Sequence, residues 1–249
     1  MYETTISVPK ENKFLLDYIK RNIYPAIAEI DGIATGADDK HRSYFSVACS
    51  DTFRFQLKRL LTENISAALA LGYKNLFVRK CLKVGKGNFF QNVLINTMCV
   101  FDKGYDQQLI SKILEVDKPV CIDGYFNFKL KLLKNKWKEI AKLVSDNFFI
   151  LQDNKMMMEF LQYLLESVNS KVANLTLTFE ENEFLLYDSK NNLLPNVTTL
   201  APQSSLEEDA AVNVLLLKPQ HISVYCKNTP SEDFCNLLQL FDCAYEKVN

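Results

Sequence analysis

The chain has 249 residues, of which 48% are hydrophobic, 24% charged and 12% aromatic, enough apolar material for one large domain or two small ones and too much for wholesale disorder. No apolar run approaches the roughly 18–20 residues of a membrane-spanning helix, and the opening "MYETTISVPKENK" has no basic-then-apolar leader pattern. The net charge of −1 hides a division, because residues 1–142 hold 23 Lys and Arg against 15 Asp and Glu while residues 143–249 hold 6 against 15. That asymmetry points to a polyanion-facing front half or to two halves that attract, with a boundary near residue 150.

"TTISV" reads as a strand closed by Pro9, after which Phe14, Leu15, Tyr18, Ile19 and Ile23 recur at helical spacing until Pro25. "GIATGADDKHR", from Gly32 to Arg42, reads as a polar loop, and the β-formers of Tyr44–Cys49 as a strand. Ser50 or Asp51 caps a helix whose face is Phe53, Leu57, Leu60, Leu61, Ile65, Ala68 and Leu69 and which stops at Gly72. Helices are predicted next over Asn75–Val84, Phe89–Val100 and Asp106–Val116, and Pro119 ends this layer.

With Asp123 as its cap, a long helix carries Phe126, Leu130, Leu133, Trp137, Ile140, Val144 and Phe148 in one stripe. Lys131, Lys134, Lys138 and Lys142 fall on another face. A second helix, Asn154 to Asn169, carries Met157, Phe160, Leu161, Leu164, Leu165 and Val168. The period then changes from helix to strand. Leu175, Leu177 and Phe179 alternate, "EENE" turns, and Phe184 to Tyr187 return as a hairpin. Ser189–Gln203 reads as a partly mobile loop, and Ser205 with Glu208 as the capping box of a helix through Leu217. "HISVYC", a helix opened by Thr229 and Pro230 and spanning Phe234–Phe241, and "CAYEKV" form a strand, helix, strand unit with parallel strands. The expected fold is α+β: a mainly helical front and centre with one or two strands, then a small C-terminal sheet. The expected regions are 1–117 and 118–249.

Chemistry is sparse. None of the seven glycines lies beyond Gly124, and neither a Walker A loop nor a dinucleotide fingerprint occurs; "VGKGNFF" (Val84–Phe90) is read as a turn between helices. The seven cysteines, Cys49, Cys81, Cys99, Cys121, Cys226, Cys235 and Cys243, are spread through apolar stretches and read as reduced, buried groups of a cytoplasmic protein; the sequons at Asn64, Asn174 and Asn196 then carry no glycan. His221, Cys226, Cys235 and Cys243 lack the spacing of a zinc site, and in a parallel unit Cys226 and Cys243 stand too far apart to share an ion. "GADDKHR" gathers Asp38, Asp39 and His41, which could bind a cation or move a proton but read more simply as solvated loop charges. No catalytic, metal-binding or cofactor-binding residue is expected. One electrostatic candidate remains: Lys74, Arg79, Lys80, Lys83 and Lys86 alternate with Tyr73, Phe77, Phe89 and Phe90, and with the lysine face Lys131, Lys134, Lys138 and Lys142 they offer a contact surface for a polyanion or a protein partner. A pI near 6.2 falls short of a dedicated nucleic-acid binder.

From Cys121 to near the C-terminus, "CIDGYFNFKLK", "EFLQYLLESV", the hairpin "ANLTLTFEENEFLLYD" and "KPQHISVYC" resemble the YtxC-like sporulation proteins of spore-forming Firmicutes. The "IDGYFNFKLK" segment and the step Pro219, His221, Ile222 are the most specific parts. The resemblance implies a bacterial cytoplasmic protein linked to sporulation and supplies no catalytic residues. The leading expectation is therefore a non-enzymatic interaction or regulatory protein; the alternatives are a nucleic-acid binder using residues 73–90 and 129–142, and an enzyme built on Asp38, Asp39 and His41.

Overall fold

A computed structural model describes residues 1–146, 151–166 and 170–247, with backbone only from residue 245. The chain divides into two compact units, each assembled from separated stretches: Met1–Val78, Asp102–Glu139 and Leu200–Pro202 in the first, and Arg79–Phe101, Ile140–Thr199 and Gln203–Asn249 in the second. The fold is α+β, with a mixed sheet in each unit.

The first unit is built on β1 (Tyr2–Pro9), whose inward residues Tyr2, Thr4, Ile6 and Val8 are buried while their neighbours are not. It pairs antiparallel with β3 (Arg42–Cys49), which turns Phe45, Val47 and Cys49 to the same side. β2 (Ile33–Asp38) flanks β3, and the two-residue β4 (Val120–Cys121) runs parallel to β1, giving the order β2-β3-β1-β4. The polar loop expected over residues 32–42 is thus corrected to the first strand and the turn of the β2–β3 hairpin. Its alternation is missing because β2 is an edge strand with almost nothing buried, held by ladder bonds instead.

The Asp39 carboxylate fixes that hairpin's turn. Its Oδ1 accepts the backbone N–H groups of His41 and Arg42 at 2.6 and 2.7 Å, and its Oδ2 accepts the Tyr44 hydroxyl at 2.6 Å. These bonds, Tyr44's first, lower its pKa from 3.8 to about 2. The folded value is depressed, so this contribution to stability is complete above pH 4 and is lost as pH falls through about 2. Replacing Tyr44 with phenylalanine is expected to move the Asp39 midpoint back up toward 3.8 in a carboxyl NMR titration; an unmoved midpoint would contradict this assignment.

α1 (Lys13–Glu29) packs Leu15, Leu16, Ile19, Ile23 and Ile27 inward. It continues past Pro25, where the sequence reading ended it, because Pro25 and Arg21 are exposed and the carbonyl freed by the missing N–H faces water. α2 (Arg54–Ala67) does not stop at Gly72 either. It runs through one wider π turn, Ala68–Tyr73, into α3 (Lys74–Leu82). Gly72 serves close packing, since a Cβ there would lie 2.1 Å from Leu15 Cδ2. Gly72→Val is therefore expected to cost about 1–3 kcal/mol by overpacking, read as a lowered urea midpoint; an unchanged midpoint would show that the core yields there. The unit is completed by α5 (Lys103–Ile113), the one-turn α6 (Ile122–Gly124), a π turn over Tyr125–Lys129 and the start of α7 (Lys131–Ser145).

The second unit holds α4 (Phe89–Phe101), α8 (Asn154–Glu166), the antiparallel hairpin β5 (Asn174–Phe179) and β6 (Phe184–Tyr187), then α9 (Leu206–Leu217), β7 (His221–Cys226), α10 (Glu232–Leu238) and β8 (Asp242–Lys247). β7 runs parallel to both β5 and β8, in the order β6-β5-β7-β8, as the strand, helix, strand reading requires. The Ser205 and Glu208 capping box is formed, whereas the cap of α10 is Ser231 rather than Thr229 or Pro230. The long stretch 189–203 lacks regular structure yet is tied down. Asn213 on α9 accepts from the Val197 N–H at 2.7 Å and donates to its carbonyl at 3.0 Å, and the Thr199 hydroxyl donates to Asp209 at 2.6 Å. Phe148, Val168 and Asn169, placed on helices by the sequence, lie outside the described residues.

Candidate interaction surface

The interior of the first unit contains an ion pair. Lys74 Nζ lies 2.8 Å from Asp106 Oδ2, with both side chains almost wholly buried. The Trp137 indole N–H donates to the same oxygen at 2.9 Å, and the ammonium lies 5.8 Å from the indole ring. A shell of rings encloses the group: Tyr73 is 5.0 Å from Phe126, Phe77 is 6.0 Å from Phe126 and 6.3 Å from Trp137, and Phe126 stacks on Trp137 at 6.4 Å.

This interior overturns part of the expected basic surface. Lys74 is fully buried because the π turn before it rotates α3 and brings that position to the inside. Arg79 is also buried; its guanidinium donates to the Gly85 carbonyl at 3.2 Å, and burial pushes its pKa down. The interleaved aromatics are packing groups rather than base-stacking platforms, since Tyr73 and Phe77 join the shell above, and Phe89 packs on Phe90 and Phe234. Lys80, Lys83 and Lys86 remain exposed.

Leu130, just ahead of α7, and Leu133, Trp137 and Val144 on it turn inward as the stripe predicts, and Ala141 joins them. Lys131, Lys138 and Lys142 are exposed, Lys142 lying 4.0 Å from Asp146. Lys134 is half-buried, donating to the Asn127 carbonyl at 3.0 Å and lying 5.0 Å from the Phe126 ring. A third face escaped the sequence reading. Phe128 is 75% exposed and Leu132 82% exposed, beside Lys136, whose ammonium donates to the Tyr105 hydroxyl at 2.7 Å. The π turn ahead of α7 puts Phe128 outside, and Leu132 was legible only as an apolar residue off the core stripe.

A model of the YtxC-like family matches residues 77–241. The chain belongs to the YtxC-like family. No curated protein and no solved structure matches it. The family match starts at Phe77, well ahead of the Cys121 stretch that carries the resemblance in sequence, and takes in Asp106, Trp137 and the outer face of α7.

Elsewhere in this YtxC-like chain, several groups with chemical potential have partners within the fold. Asp123 does not cap its helix. Arg42 grips both its carboxylate oxygens, at 2.6 and 3.2 Å, and also reaches Ser7 and the Cys121 sulfur. Burial alone would raise the Asp123 pKa, but the bonds from Arg42 and Cys121 outweigh it and leave the carboxyl lowered. Asp38 pairs with Lys13 at 2.8 Å, which lowers its pKa, so neither carboxylate of "GADDKHR" is idle. His221 meets Asp242 across the strands at 2.7 Å, and Cys243 registers with Ile222, four residues from Cys226. Among the described residues no cluster of three or more His, Cys, Asp or Glu could hold a metal ion.

A cleft of about 700 Å³ opens at the carboxyl ends of β5 and β7, between the turn Glu180–Glu183 and Tyr225–Lys227. In sequence "EENE" is legible only as a turn, although the ends of adjacent parallel strands are where open sheets take ligands. Nearby, Glu207 accepts from the Ser231 backbone N–H at 2.9 Å and from its hydroxyl, so the chain's own carboxylate fills the position an anion would take.

Proposed function

We propose that this YtxC-like protein is a cytoplasmic, sporulation-associated component that acts by binding a partner, without catalysing a reaction. The observation that carries the reading is the outer side of α7, where Phe128 and Leu132 stand in solvent beside Lys131, Lys136 and Lys138. The pairing of Asp38, Asp39, Asp123 and Arg42 within the fold favours structural roles for the groups an enzyme would need. The link to sporulation rests on the likeness to proteins of spore-forming Firmicutes. The nucleic-acid alternative loses Lys74, Arg79 and its stacking rings to the interior, which leaves it without the mixed basic and aromatic surface that suggested it.

Charge reversal at two exposed positions tests the reading. A null strain carrying Lys131→Glu with Lys138→Glu should make the folded protein and fail to restore spore yield. Full restoration would count decisively against a binding role for this face.

A further inference from the structure

We infer that the corner formed by Phe128, Leu132 and Tyr105 docks on an anionic lipid bilayer. The inference rests on the binding role proposed above and names the partner's chemistry. Phe128, in the π turn ahead of α7, and Leu132, in the first turn of α7, are four residues apart and 75% and 82% exposed, two large apolar side chains standing in water at this end of the helix. Such residues gain by entering the boundary between headgroups and acyl chains.

The surroundings of this pair decide which apolar phase it suits. Lys129, Lys131, Lys136 and Lys138 are exposed here and carry four positive charges, with no acidic residue between Asp123 and Glu139. At about 100° per residue, Lys136 lies about 40° to one side of Leu132 and Lys131 about 100° to the other, so lysines flank Leu132. Glu139, about 20° from Leu132 two turns further on, closes the face. A nucleic acid would engage the lysines and leave Leu132 in water. A neutral apolar groove would take Phe128 and Leu132 and leave the charge unanswered. An anionic bilayer answers both at once, with phosphates for the lysines and acyl chains for the apolar pair.

Tyr105 extends the same corner. It is 50% exposed, its hydroxyl lies 2.7 Å from Lys136 Nζ, and the ammonium sits 4.5 Å from its ring centroid. An amphipathic ring so placed belongs at headgroup level. No helix among the described residues is long and apolar enough to cross a membrane, so the contact is with the bilayer surface.

Flotation of the full chain tests this, using phosphatidylcholine vesicles with and without about 30 mol % phosphatidylglycerol, at low and high salt. The protein should float with anionic vesicles only, and less at high salt. Lys131→Gln should weaken binding about fivefold. Phe128→Ser with Leu132→Ser should weaken it at least about tenfold, with the melting curve unchanged. Failure to float with anionic vesicles, equal flotation with neutral ones, or undiminished flotation of the serine variant each overturns the assignment. Duplex DNA binding in place of vesicle binding overturns it as well. If vesicles fail while the Lys131→Glu, Lys138→Glu strain still cannot sporulate, the lipid assignment falls and the binding role stands; if that strain sporulates normally, the binding role falls.

Discussion

Asp106→Ala is expected to lower unfolding stability by about 3–5 kcal/mol. The substitution leaves the Lys74 ammonium fully buried without its counter-charge and deprives the Trp137 indole N–H of its acceptor. Coulomb attraction alone does not set the size of this loss, because removing two charges from water offsets much of what their pairing gains. The cost comes from the charge left behind. Lys74→Met combined with Asp106→Ala should therefore recover a large part of the loss, with only the indole N–H unpaired. Urea unfolding of the two singles and the double gives the coupling energy, and additive losses would mean that the two groups do not act as a pair.

Phe234→Ala should cost a similar amount in the second unit, about 3–5 kcal/mol. Phe234 is fully buried on the short helix between two parallel strands, edge-on to Phe179 at 5.5 Å and to Phe89 at 6.4 Å. Its removal opens a cavity that joins the hairpin, α4 and α10, and neighbours held by ladder bonds and helix ends can collapse into it only in part. Phe234→Leu, which keeps most of the volume, should cost about half as much or less. Equal losses for both variants would place the energy in ring contacts rather than in filled volume.

What could be read in the sequence follows from which residues signal burial. The stripe Leu130, Leu133, Trp137 and Val144, the strands of the second unit and the capping box of Ser205 and Glu208 were all legible, because apolar spacing or a local polar exchange specifies each. β2 was not, since an exposed edge strand has no apolar alternation. Gly72 misled for a different reason: a glycine usually ends a helix, and its alternative use, contact with Leu15, depends on a residue 57 positions away. The wider turn it sits in then moved Lys74 from the expected surface to the interior. The candidate surface was half legible. Its lysines were visible as a face of α7, but the exposure of Phe128 depends on the π turn Tyr125–Lys129, which no local spacing announces.

The central claim, that this YtxC-like protein works through the outer face of α7 and not through a catalytic loop, is tested most directly by spore yield in a null strain complemented with two alleles. Asp38→Asn with His41→Ala should restore wild-type spore yield, whereas Phe128→Ser with Leu132→Ser should accumulate as folded protein and fail to do so. Loss of spores with the first allele and full yield with the second would contradict that claim.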